Sequence, residues 1–156
     1  MSILVVYYSR SGMTKKIAQA IAEKLGADQE EIISLEERKG LSGYLKSGQE
    51  AAQKKLAKIK PPEKKVGDYD LVIVGTPVWV GTMSSPVRTY LNSNLGRFRT
   101  VAFFTTQGSI KDQKVFKELT EVLGKDPIAT LKVKTKEAAT DDYTIKLEKF
   151  LKEVKS

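Results

Sequence analysis

Three hydroxyl side chains, Ser9, Ser11 and Thr14, surround Gly12 in the stretch YYSRSGMTKKIA (7–18). The stretch follows an apolar run, Ile3 to Val6, and passes into a segment with helical spacing. Hydroxyls and free backbone N–H groups at a helix start bind an anion, assisted by the positive end of the helix dipole. Glycine lets the backbone come close to that anion. Such a cradle suits one terminal phosphate monoester. The spacing matches neither G-x-x-x-x-G-K-[ST] nor G-x-G-x-x-G. Taken alone, the stretch also reads as a helix N-cap with serines beside it.

The chain contains neither cysteine nor histidine. A disulfide, a thiol nucleophile, a Cys/His zinc site and a Ser-His-Asp triad are therefore excluded. Proton transfer would fall to carboxylates, lysines or tyrosines with shifted pKa values. No pair of these stands beside a motif. Redox chemistry, if present, has to be carried by a bound cofactor.

Two further segments combine glycine with unusual neighbours. TPVWVGTMSS (76–85) holds the single tryptophan, Trp79, and TQGSIKD (106–112) supplies Thr106, Gln107 and Ser109. Trp79 in a Pro/Gly loop can offer a flat face to a planar ring. The later loop can close the other side with backbone amides and polar side chains.

These segments need a frame to bring them together. Apolar runs at 3–8, 69–76 and 100–106 are nearly unbroken, as in strands covered on both faces. EEIISLE (30–36) reads as a second strand, and PIATLKV (127–133) alternates as an edge strand does. Helical spacing appears in Ile17, Ala18, Ile21, Ala22 and Leu25, with Gly26 as the stop. It recurs in a stripe from Tyr44 through Leu45, Gly48, Ala51, Ala52 and Leu56 to Ile59, stopped by Pro61 and Pro62. A third helix starts with Ser85 as cap and Pro86 at its first position, with Val87, Tyr90, Leu91 and Leu95 on one face. A fourth carries Val115, Phe116, Leu119, Val122 and Leu123, and a last one follows a cap at Asp141 or Asp142. Strands alternating with helices imply an α/β fold, a five-stranded, doubly wound parallel sheet with helices on both faces. Ligands of such sheets sit beyond the carboxyl ends of the strands. The three segments follow the first, third and fourth strands.

The length, 156 residues, fits a single domain over 1–156. No apolar run approaches the roughly 18 residues of a membrane span. The start lacks a basic region and a cleavage site, so a cytoplasmic protein is expected. Lys and Arg number 27 against 19 Asp and Glu, a net charge of +8. The densest basic stretch, KKLAKIKPPEKK (54–65), has no interleaved aromatics and no nucleic-acid motif. It reads as a solvated face or as a docking patch for an acidic protein.

Together the three loops resemble the flavodoxin family. The resemblance rests on SRSGMT (9–14), GTPVWVG (75–81), TTQGS (105–109) and the helix start SSPVRTYL (84–91). It spans essentially the whole chain, of the short type. It implies strand order 2-1-3-4-5 with FMN at the switch point, the arrangement for which flavodoxin is itself the standard example. It also implies that Ser9, Arg10, Ser11, Gly12, Met13 and Thr14 surround the FMN phosphate. Thr76, Pro77, Val78, Trp79, Val80 and Gly81 would line the ring, with Trp79 stacked on one face. Thr106, Gln107, Gly108 and Ser109 would meet the pyrimidine edge through backbone amides. The implied function is one- or two-electron transfer between redox protein partners; the alternative is a small FMN-dependent NAD(P)H:quinone or flavin reductase. Two departures matter. Residues 106–112 hold no aromatic, which leaves one ring face to aliphatic groups or open. The chain is also basic, and Arg10, Arg88 and Lys111 are expected near the ring, where cations favour an anionic reduced flavin.

Overall fold

A computed structural model of the chain describes residues 1–36, 45, 49, 56–108 and 114–156. Six strands occur among them: β1 (Ile3–Tyr7), β2 (Asp28–Glu31), β3 (Leu71–Trp79), β4 (Thr82–Met83), β5 (Thr100–Gln107) and β6 (Thr130–Lys134). The helices are α1 (Met13–Leu25), α2 (Ser85–Ser93), α3 (Val115–Leu123), α4 (Thr135–Thr140) and α5 (Thr144–Lys155). A single 3₁₀ turn, Val66–Asp68, leads into β3.

Five strands pair in parallel in the order β2-β1-β3-β5-β6. Counted over these five, the order is the expected 2-1-3-4-5. Alternate residues of each strand face opposite sides. Leu4 and Val6, Val72 and Val74, and Val101 and Phe103 pack beneath Val87, Leu91 and Leu119 of α2 and α3. Val5 and Tyr7, Leu71 and Ile73, and Ala102 and Phe104 pack against Ile17 and Ile21 of α1 and Phe150 and Leu151 of α5. The central strands are apolar on both faces because both faces are covered. Gly26 and Gly124 end α1 and α3 in the left-handed conformation, as their positions predict.

Several boundaries differ from expectation. β2 begins at Asp28 and ends at Glu31 rather than spanning 30–36. Ile32 still donates its N–H to Tyr7 O at 2.7 Å, but the chain then leaves the sheet. It pairs antiparallel around Ser34 and Ile59, with Leu35 N–H on Lys58 O and Lys60 N–H on Ile33 O. Residues 56–60 are therefore not the end of a helix, in keeping with the extended bias of a residue before proline. Within the rest of that expected helix, Leu45 and Gln49 are helical and exposed, and the other residues lie outside the described ones. Ser84, not Ser85, occupies the N-cap position of α2, and the helix ends before Leu95, which is exposed. A short helix, α4, precedes the last one. Glu137 accepts the Lys134 N–H at 2.9 Å, the three-residue spacing of a helix start. Asp141 then terminates α4 in the left-handed conformation instead of capping α5. Among the described residues no helix is long and apolar enough to cross a membrane.

Candidate functional site

β1, β3 and β5 are neighbours, so the segments after them emerge side by side. Tyr7 pairs with Gly75, and Pro77 with Thr106. The first segment turns at Gly12, whose φ of 97° suits glycine. Gly12 N–H donates to Ser9 Oγ at 3.0 Å, folding the loop over itself. Gly12 is also the N-cap residue of α1, and no side chain caps that helix. None of the serines caps the helix: Ser11 is exposed, and Ser9 bonds within the loop. Arg10 and Met13 are half-buried. Thr14 is buried, with its Oγ1 2.7 Å from Thr106 Oγ1, one hydroxyl donating to the other. That contact fastens the first turn of α1 to the end of β5.

The second segment is not an irregular loop. β3 runs on through Thr76, Pro77, Val78 and Trp79, then turns at Val80 and Gly81 into β4. Val80 (φ 52°) and Gly81 (φ 75°) both lie in the left-handed region, as a two-residue hairpin turn of type I′ requires. A β-branched residue there is strained by roughly 1–3 kcal/mol. Val80 is 69% exposed and forms the tip. Trp79 is 7% exposed and belongs to the core beneath the hairpin. Its ring meets Tyr8 edge-on, with centroids 5.5 Å apart at 86°. Thr76 is fully buried; its Oγ1 lies 3.1 Å from Ser84 Oγ and accepts the Ser84 N–H at 3.0 Å, tying the hairpin base to α2.

In the third segment, Thr105 Oγ1 donates to Gln107 Oε1 at 2.8 Å and both side chains are buried. Gly108 is exposed. Ser109 and Lys111 lie outside the described residues.

Arg88 corrects the expected electrostatics. It is buried beside the hairpin, and its terminal nitrogen contacts Glu118 Oε2 at 2.6 Å and Thr82 Oγ1 at 3.1 Å. Its charge is neutralised by that partner rather than presented to a ligand. Glu118 Oε1 also accepts the Met83 N–H at 2.9 Å and the Thr82 hydroxyl. Burial alone would push the Glu118 carboxyl up; the Met83, Thr82 and Arg88 donors outweigh it and hold the group below its ordinary range. A carboxyl depressed by folding contributes stability that is complete above its unfolded value. That contribution is lost as pH falls through the folded value. Glu118→Gln should therefore unfold with a shallower acid limb than the parent below about pH 4.3. Urea unfolding at neutral pH and across the acid range checks this; parallel limbs would mean that the pair adds nothing to acid sensitivity. Sequence reading did not find Glu118, because its partners lie about thirty residues or more away and share no local pattern with it.

A family model described as Flavodoxin matches residues 2–148. Among solved structures, a flavoprotein from Lactobacillus acidophilus NCFM in complex with FMN is 24% identical, with a TM-score of 0.70 over 92% of this chain and 98% of that one. An NADH:FMN oxidoreductase in its apo form is 15% identical, with a TM-score of 0.64 over 97% and 87%. A flavodoxin from the domain Archaea is 16% identical, with a TM-score of 0.52 over 98% and 99%. At these identities the likenesses establish a shared fold.

Proposed function

The chain belongs to the flavodoxin family, and we propose that it binds FMN across the carboxyl ends of β1, β3 and β5 and carries electrons between redox proteins. The observation that carries this reading is the start of α1. Gly12 caps the helix in the left-handed conformation, no side chain occupies the cap, and the space where a Cβ would stand is open. These features support a phosphate monoester held at the helix start. Ser9, Arg10, Ser11, Gly12 and Met13 would hold it, with Thr14 fixing the helix start against Thr106. The hairpin 76–81 would flank the ring on one side, and residues 106–109 would meet its polar edge. When bound, FMN supplies the electron storage that the side chains lack. The chain's own part is to bind, orient and shield it. A partner with an acidic surface is the kind that a +8 chain attracts.

The purified protein should show a flavin spectrum and bind FMN more tightly than riboflavin. Ser11→Ala should weaken FMN by about 1.5–3 kcal/mol, the range for a hydrogen bond to a charged group, and leave riboflavin unchanged. Fluorescence titrations with both flavins check this, and equal affinities for the two would remove the phosphate cradle. NAD(P)H oxidation by the loaded protein at enzyme-like turnover would replace the carrier reading with the reductase one.

A further inference from the structure

The buried pair Arg88–Glu118 lies where three elements converge. Arg88 comes from α2, Glu118 from α3, and Thr82 and Met83 from β4, the return strand of the hairpin. Glu118 gathers the Met83 N–H, the Thr82 hydroxyl and the Arg88 guanidinium. The two charged side chains are only 9% and 14% exposed, and Arg88 Nε is buried with no hydrogen-bond partner among the described residues. A buried ion pair is a poor source of net stability, because desolvation offsets the attraction. Apolar side chains would fill the same space at least as well. What apolar residues cannot do is accept two donors from one strand in a fixed geometry.

The position of β4 gives that geometry a consequence. β4 leads directly back to the Val80–Gly81 tip and pairs with the end of β3. Glu118 therefore joins α3, and through Arg88 also α2, to the return strand of the hairpin. We propose that Arg88 and Glu118 are positioning residues that fix the hairpin 76–83 in place, and so set affinity for the flavin ring without touching it. This rests on the flavin reading above. The effect belongs to the ring and not to the phosphate, because neither residue approaches the 9–14 loop through any element described.

The test compares the full-length parent with Thr82→Val and with the double variant Arg88→Met/Glu118→Leu. The double variant avoids an unpaired buried charge and should match or exceed the parent in urea unfolding. Amide exchange at Met83 in the flavin-free protein should nevertheless quicken, because its acceptor is gone. FMN and riboflavin should both weaken, by about tenfold and by the same factor, a size usual for coupling between sites. Thr82→Val should do the same in smaller measure. Parent-like affinity for both flavins in the double variant overturns the proposal, as does weakening confined to FMN. A Met83 amide that exchanges freely in the parent overturns the clamp while leaving flavin binding intact. A parent that takes up neither flavin overturns the flavin reading, and this role with it.

Discussion

Gly75→Ala should destabilise the flavin-free protein by about 3 kcal/mol, the upper end of what overpacking a core usually does. A β-carbon at Gly75 would lie 2.0 Å from Phe104 Cζ, 2.4 Å from Cε1 and 2.6 Å from Cε2. These separations are far inside contact distance, and the obstructing group is not a flexible tip. Phe104 is fully buried in the layer that holds α1 and α5 against the sheet. Gly75 and Phe104 are direct partners across β3 and β5, so the ring lies over the position that a side chain would fill. Relief would require Phe104 to leave its rotamer or β3 to separate from β5. The urea midpoint should fall with little change in slope. Gly75→Ala/Phe104→Leu should recover part of the loss, a coupling that a double-mutant cycle measures directly. An unchanged midpoint in the single variant would mean that the ring yields easily.

Gly75 also shows what sequence reading reaches and where it stops. The alternation of strands and helices was legible because two periodicities dominate the chain: unbroken apolar runs, and apolar residues at helical spacing closed by Gly26 and Gly124. The first glycine of GTPVWVG was legible only as part of a segment with unusual neighbours. Its reason was not, since a glycine in a strand can equally mark a ligand or another side chain. Here Phe104 occupies the space, and that contact spans residues far apart in the chain.

Pro77 misled in a different way. A proline ordinarily argues that a strand has ended. β3 continues past it because β1 has already stopped, with Tyr7 opposite Gly75 as its last partner on that side. From Thr76 onward β3 pairs with β5 and then folds back on β4. The hairpin follows from where a neighbouring strand ends, which local composition does not encode. The turn itself was hidden for a related reason. Val80-Gly81 holds the favourable glycine but places a β-branched residue where asparagine or glycine is usual. The first loop was more transparent. The hydroxyl residues, the glycine that turns and the helix that follows are contiguous, so their arrangement is local.

Trp79→Ala should cost about 3–5 kcal/mol of flavin-free stability, the range for truncating a large buried aromatic. Sequence position alone suggests a different outcome. An indole on a ligand-facing loop would lose about 1–3 kcal/mol of stacking with a flat ring and little folding stability. The two expectations separate cleanly because they concern different states of the protein. Trp79 is 7% exposed, packs in the same core as Met83 and Val87, and meets Tyr8 edge-on. Edge-to-face pairs contribute about 0.5–1.5 kcal/mol beyond burial, so Trp79→Ala and Tyr8→Leu should be non-additive by that amount. Trp79→Phe should retain much of the stability, because a second ring can reoccupy most of the space. Urea unfolding of the flavin-free protein measures the first effect, and titration of the folded variant with FMN measures the second. A large loss of stability with modest loss of FMN affinity would make the indole a support under the hairpin, leaving Val80 and Gly81 at the tip to meet the ring. Unchanged stability with affinity lost would make it the ring's platform, and would require the indole to turn away from Tyr8 when the ligand enters.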